Sequence, residues 1–324
     1  MESLNQENNE MPPSKSSKER MGFPPGVVIV ALIAVSLLLY TADFKVMPQN
    51  KIKQAQEKVQ NEPTGETLVI PLPSGNLGLR MIEAGVIDRR AFEAVYAERG
   101  GLTTEEKNLL TGQTNDLITV NQKNAGFILN FLWAFGLGNK NPILESGPMA
   151  DTSYGSPDRF ASTGGWTIAN GNIMNHYSAH PFVVLTKEQQ TLVERVSKNI
   201  YRPCCDNATY FPDCNHGMAM LGLLELLAAA NASEQTMYKV ALQMNIFWFP
   251  EQYTTIAEYL RQKGQNIESA NPKEILGINY SSASGYRGIL QAVNTHAPNT
   301  DVNCDVGGSE SIVPKKSSGG GCGI

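Results

Sequence analysis

The chain has 324 residues with a formal net charge of −5 and a pI near 5.5; 41 % of the residues are hydrophobic and 18 % charged. These values are ordinary for a globular protein and supply no basic stripe, which argues against nucleic acid as a partner. Five cysteines in so long a chain are too few for a disulfide-dense scaffold, and the odd count leaves at least one thiol without a partner inside the chain.

Residues 1–22 are polar and rich in Asn, Glu and Ser, the composition of a disordered cytoplasmic tail. Val27 to Tyr40 is an uncharged run of Val, Ile, Ala and Leu with a single Ser, and Thr41-Ala42 extend it. Its length of roughly seventeen residues is the lower limit for crossing a bilayer. Lys15, Lys18 and Arg20 lie upstream, while Asp43 and Lys45 follow at once. The positive-inside tendency then predicts a single-pass anchor over 23–43 in the cell membrane, with the lipid bilayer as its partner and the rest of the chain exported. A cleaved signal peptide is the competing reading, but Thr41-Ala42-Asp43 is a poor cleavage site. A polar stalk over 44–66 would lead to an extracytoplasmic domain over 67–297. The remainder, 298–324, is a flexible tail ending in Gly-Gly-Gly-Cys322-Gly-Ile.

Within the domain the patterning predicts a mainly α fold with few short strands. Leu68-Val-Ile-Pro-Leu-Pro73 is extended because of its prolines. Asp88 to Glu98 and Thr103 to Leu110 read as short helices, the second with Glu105 and Glu106 in its first turn. Asp116 to Val120 reads as a strand. Asn121 would cap a helix to Phe135 in which Ile128, Phe131, Leu132 and Phe135 recur at helical spacing. Residues 139–166 form a long stretch rich in Gly, Ser, Pro and Asp, expected to be a functional or disordered loop that could line a cleft. Pro181 to Leu185 is a second strand candidate.

Thr186-Lys-Glu-Gln189 is a capping box for a helix facing Leu192, Val193, Val196 and Ile200 inward. Ser233 caps another, with Met237, Val240, Ala241 and Met244 on its apolar face. Pro250 opens the next, which ends near Gly264, and Asn271-Pro272-Lys-Glu274 supplies a cap, a first-turn proline and an acid in order.

The segment Pro203 to Met220 is where chemistry is expected. It gathers Cys204, Cys205, Cys214, His216, Met218 and Met220. Asp213 looks like an N-cap, and Cys214 to Ala230 is apolar on nearly all sides apart from Glu225, which makes it a core helix. That places Cys214 and His216 in a first turn, where the helix dipole favours a thiolate. Three uses of the cluster stand side by side: a metal site, a redox-active or nucleophilic thiol, and a structural disulfide from Cys204 or Cys205 to Cys214.

In the metal reading Cys204 or Cys205, Cys214 and His216 are ligands, and Met218 or Met220, the latter four residues from His216 and on its face, would be a further one. Thiolate, imidazole and thioether together suit copper, and thiolate with imidazole suits zinc; the methionines tilt the choice to copper. In the alternative reading the chain is a non-catalytic surface or interaction module and the cysteines only staple the fold. No established zinc-finger, haem-attachment, Walker or hydrolase-elbow pattern is present.

His176 and His180 are four apart, as two metal ligands on one helical face would be, although Pro181 equally suits a turn. Asn207-Ala-Thr209 and Asn231-Ala-Ser233 match the glycosylation sequon.

Overall fold

The computed structural model describes residues 67–295 except Pro73 and Asn115. The cytoplasmic tail, the anchor, the stalk and the glycine-rich tail expected from the sequence, with Cys304 and Cys322, lie outside the described residues. Among the described residues no helix is long and apolar enough to cross a membrane.

The fold is mainly helical. Strand β1 (Leu68–Pro71) leads to helices α1 (Leu77–Glu83), α2 (Arg89–Ala97) and α3 (Thr104–Thr111), then to β2 (Leu117–Val120). The strands pair antiparallel, Leu68 against Val120 and Ile70 against Ile118. Next come α4 (Ala125–Gly138), the short α5 (Pro142–Ser146) and, after an irregular stretch, α6 (Lys187–Ser197). The chain closes with α7 (Asn215–Ala229), α8 (Glu234–Trp248), α9 (Pro250–Gln262), α10 (Pro272–Ile275), α11 (Ile278–Ser281) and α12 (Ala283–Thr295).

Thr186, Ser233 and Asn271 cap helices as the sequence announces, and Thr103 does so as well. Thr103 and Thr186 each complete a reciprocal capping box, with Glu106 and Gln189 as the returning side chains. Ser233 accepts from the Thr236 amide and Asn271 from that of Lys273. Each such cap satisfies amides that a helix cannot satisfy internally and contributes about 1 kcal/mol.

Two expectations change. Helix α4 starts at Ala125 and runs to Gly138, because Asn121 turns its side chain onto the amides of Lys123 and Asn124 and closes a preceding turn instead. Pro181 to Leu185 is irregular: Phe182 and Val183 are buried there, and the only ladder-like contact is an isolated bridge between Asn139 and His180. The Val183 amide is taken by the Asn139 side chain at 2.9 Å rather than by a strand.

Helices α4 and α7 form the centre of the core, each buried along most of its length. Glycines set their separation. A Cβ on Gly136 would stand 2.3 Å from the Met218 carbonyl oxygen, and one on Gly222 would stand 2.7 Å from that of Leu132. The two backbones therefore touch directly, and no side chain fits between them. Gly136→Ala should destabilise the domain by about 3 kcal/mol or more, since the obstacle is backbone and cannot rotate away. Gly126→Ala in the same helix, where nothing lies within 4 Å of the added carbon, should be neutral or stabilising by up to about 1 kcal/mol. Urea unfolding of the two variants separates the effects, and equal midpoints would refute the contact.

Candidate metal centre

Tyr201 leads into a tight turn, Arg202-Pro203-Cys204-Cys205, closed by the Cys205 amide on the Arg202 carbonyl at 3.3 Å. Pro203 presets the turn's second position, and Cys204 comes third, at the exposed tip. The far side of the turn is pinned to the start of α12: the Ala283 amide donates to the Cys205 carbonyl at 3.0 Å and the Ser284 amide to Asp206 Oδ1 at 2.7 Å. Ten residues on, the chain enters α7.

Cys214, not Asp213, is the N-cap of α7; its sulfur accepts the Gly217 N–H at 3.4 Å. Asp213 is drawn elsewhere, accepting from Arg202 Nη2 at 2.7 Å and from Asn207 Nδ2 at 2.8 Å. That use of Asn207, together with the full burial of Thr209, ties the first sequon into the fold.

Arg202 organises the site. Its side chain is 1 % exposed. Nε donates to Cys214 Sγ at 3.1 Å, Nη1 to the Asn207 carbonyl at 2.8 Å, and Nη2 to the Phe211 carbonyl at 3.3 Å as well as to Asp213. A planar fork serving four acceptors is something Lys cannot reproduce. Burial works against the charge, but Cys214, Cys205, Cys204 and Asp213 more than offset it and hold the guanidinium protonated. Gly217 makes the room: a Cβ there would meet Nη2 at 2.4 Å. Sequence reasoning missed Arg202, since a single Arg between Tyr and Pro carries no local sign of burial. The glycine in the first turn of an otherwise apolar helix was the available signal.

The three sulfurs meet at Cys214, with Cys204 Sγ 3.7 Å and Cys205 Sγ 3.9 Å away. All three stand as free thiols. Contacts with Cys204 and Cys205, and then the charge of Arg202, hold the Cys214 thiol well below the ordinary range against the opposing effect of burial. Cys204 moves the other way, raised by its contacts with Cys205 and Cys214 and by burial. At Cys205 the contact with Cys204 lowers the value, but the contact with Cys214 and burial prevail and raise it.

His216 packs its ring against Phe249 and Trp248, with centroids 4.5 and 5.8 Å apart. Burial, and secondarily Arg202, lower its pKa to about 4 against the pull of Cys214, so the imidazole is neutral at pH 7. Its Nδ1 is buried without a hydrogen-bond partner. Ligand atoms of Cys204, Cys214 and His216 lie within 4.8 Å of one another, as do those of Cys205, Asp213 and Cys214. These two groups share Cys214. Met218 and Met220 are 0 % and 1 % exposed within the apolar core, where packing accounts for them.

The other candidates settle differently. His176 and His180 sit in a turn, not on a helix, with Nδ1 of the first 3.0 Å from Nε2 of the second. The Asn170 carbonyl, 2.9 Å from His176 Nε2, can only accept, which assigns the proton there and makes His176 Nδ1 the acceptor for His180. Hydrogen bonding explains the pair in full.

The 139–166 stretch is a chain of short turns rather than an open loop, with α5 near its start and the buried Trp166 at its end. It rests on the approach to the centre: the Ser162 amide donates to the Asp213 carbonyl at 3.1 Å, and Tyr154 and Phe160 flank Phe211. A cleft of about 640 Å³ opens elsewhere, between Lys198, Tyr201, Tyr259, Lys273 and Tyr280, and no residue of 139–166 lines it.

Fold and site together define a mainly helical domain whose core helix opens on a thiol and imidazole group able to hold a metal ion. No protein-family model, curated protein or solved structure matches the chain.

Proposed function

We propose that this is a membrane-anchored, extracytoplasmic protein whose helical domain binds a soft metal ion, copper or zinc, at Cys204, Cys214 and His216, with Cys205 beside them. The uncharged Val27–Tyr40 run supports the anchor, and exported thiols are ordinarily either paired or protected by metal. The observation that carries the metal reading is the convergence of two sulfurs and an imidazole nitrogen within 4.8 Å. Two thiolates at about 2.3 Å from a tetrahedral zinc lie about 3.8 Å apart, and Cys204 and Cys214 are 3.7 Å apart. A neutral imidazole with a nitrogen lacking a partner is the form that ligates. Arg202 acts outside the ligands, where an N–H···S hydrogen bond orients a thiolate and offsets its charge.

Protein purified without chelator should carry near-stoichiometric copper or zinc by elemental analysis, and that result also names the metal. The Cys214→Ser and His216→Ala double variant should lose it while keeping its helical circular dichroism, because α7 is held mainly by its buried Leu and Met side chains. Metal-free protein whose cluster thiols react only after reduction would instead support the interaction module with a disulfide staple.

A further inference from the structure

We propose that the same centre, when free of metal, carries out thiol–disulfide exchange, with Cys204 as the thiol that meets a small or surface-exposed disulfide and Cys214 as the thiol that resolves it. This rests on the cluster being the functional centre, and does not require that metal be its cargo. The geometry supplies an exposed cysteine and a buried one whose sulfurs are in contact. Cys204 stands at the exposed tip of the Arg202–Cys205 turn, whereas Cys214 is 9 % exposed and 3.7 Å behind it. An incoming disulfide reaches Cys204 first.

The Cys204 thiol gives up its proton as its sulfur attacks one sulfur of the substrate disulfide, the thiolate being the attacking form. A mixed disulfide forms, the substrate's S–S bond breaks, and the first substrate thiol leaves with the proton that Cys204 gives up. The Cys214 sulfur then attacks the Cys204 sulfur, the mixed disulfide breaks, and the second substrate sulfur leaves as a thiolate that takes its proton from water. Two protein thiols and one substrate disulfide become one protein disulfide and two substrate thiols, so electrons and protons balance.

Closing the Cys204–Cys214 bond requires the sulfurs to approach from 3.7 Å to about 2.05 Å, a shift a turn tip can make. Cys214 is the fixed partner, held by Arg202 Nε at 3.1 Å and the Gly217 amide at 3.4 Å. Cys205, 3.9 Å from Cys214, is the less suitable resolver of a disulfide on Cys204. Joining adjacent residues closes a strained ring that departs from ordinary disulfide geometry, and its sulfur faces the Asn207 carbonyl at 3.9 Å.

The test uses the full chain in detergent, reduced and stripped of metal, with Cys304 and Cys322 replaced by Ser throughout. Glutathione disulfide is the probe and mass spectrometry the readout. The parent should release two equivalents of glutathione thiol and acquire a Cys204–Cys214 disulfide. Cys214→Ser, which keeps a capping side chain, should stop at one equivalent with glutathione bound to Cys204. Cys204→Ser should react at least tenfold more slowly. A Cys204→Ser variant reacting at the parent rate, or a Cys214→Ser variant that still releases two equivalents, would overturn the assignment. Stoichiometric metal without exchange would refute this inference alone, and exchange without metal would refute the metal centre alone.

Discussion

Arg202→Met is expected to lower the unfolding free energy by about 3–5 kcal/mol, the cost typical of breaking a buried charged pair by removing one partner. Methionine fills much of the space but donates nothing. Asp213 would then lose its cation, and the Asn207 and Phe211 carbonyls would lose their donors along with Cys214. Arg202→Lys should lose most of the same energy, because one ammonium cannot serve four acceptors spread around a plane. Asp213→Asn is the contrasting variant. Burial already raises the pKa of its carboxyl, and the carbonyls and Cys214 would keep their guanidinium, so a loss of about 1–2 kcal/mol is expected for weakening the two hydrogen bonds it accepts, from Arg202 and Asn207. Urea unfolding at pH 7 measures all three, and an Arg202→Met loss below that of Asp213→Asn would remove Arg202 from its organising place.

Stability should also fall as pH rises, with Glu225 as the cause. This carboxyl lies in the middle of α7, fully buried. It accepts from Asn139 Nδ2 at 2.6 Å and from Asn141 Nδ2, two amides that follow the end of α4. Burial raises its pKa from 4.5 to about 8, and the two amides only partly oppose this. The folded state therefore holds a proton that the unfolded chain releases. Stability from this group is complete below about pH 4.5 and is lost progressively as pH rises through about 8, a total of roughly 3–5 kcal/mol at most. Glu225→Gln cannot ionise. It should be less stable than the parent at pH 6, where its amide faces two other amide donors, yet should lack the decline toward pH 9. Parallel pH profiles for parent and variant would eliminate Glu225 as the source.

What could be read from the residues divides by range. Caps at Thr186, Ser233 and Asn271 were legible because an N-cap acts on amides two or three residues away, within one short window. The core character of α7 was legible because its apolar side chains surround the helix, and β2 was visible as Asp116 to Val120. Pro181 to Leu185 misled because a short apolar run is compatible with any buried segment, and here Asn139 takes an amide that a strand would have offered to a neighbour.

In the centre, the proximity of Cys204, Cys205, Cys214 and His216 followed from their spacing, but their grouping did not. Asp213 suited the cap position by residue type and was displaced by Arg202, a competitor eleven residues earlier that only the fold brings near. Glu225 likewise depends on Asn139 and Asn141, more than eighty positions away, and no local pattern records such a partnership.

Cys214 holds two positions at once: its sulfur closes the first turn of the most deeply buried helix and is also the meeting point of the other two sulfurs. Whatever binds that sulfur in the folded state therefore enters the folding equilibrium by mass action. A ligand present at a hundred times its dissociation constant adds about 2.7 kcal/mol to the unfolding free energy, and a population of open molecules shrinks about a hundredfold in step. Susceptibility to a protease acting on those open molecules falls by the same factor, so the survival of the domain becomes a readout of ligand supply.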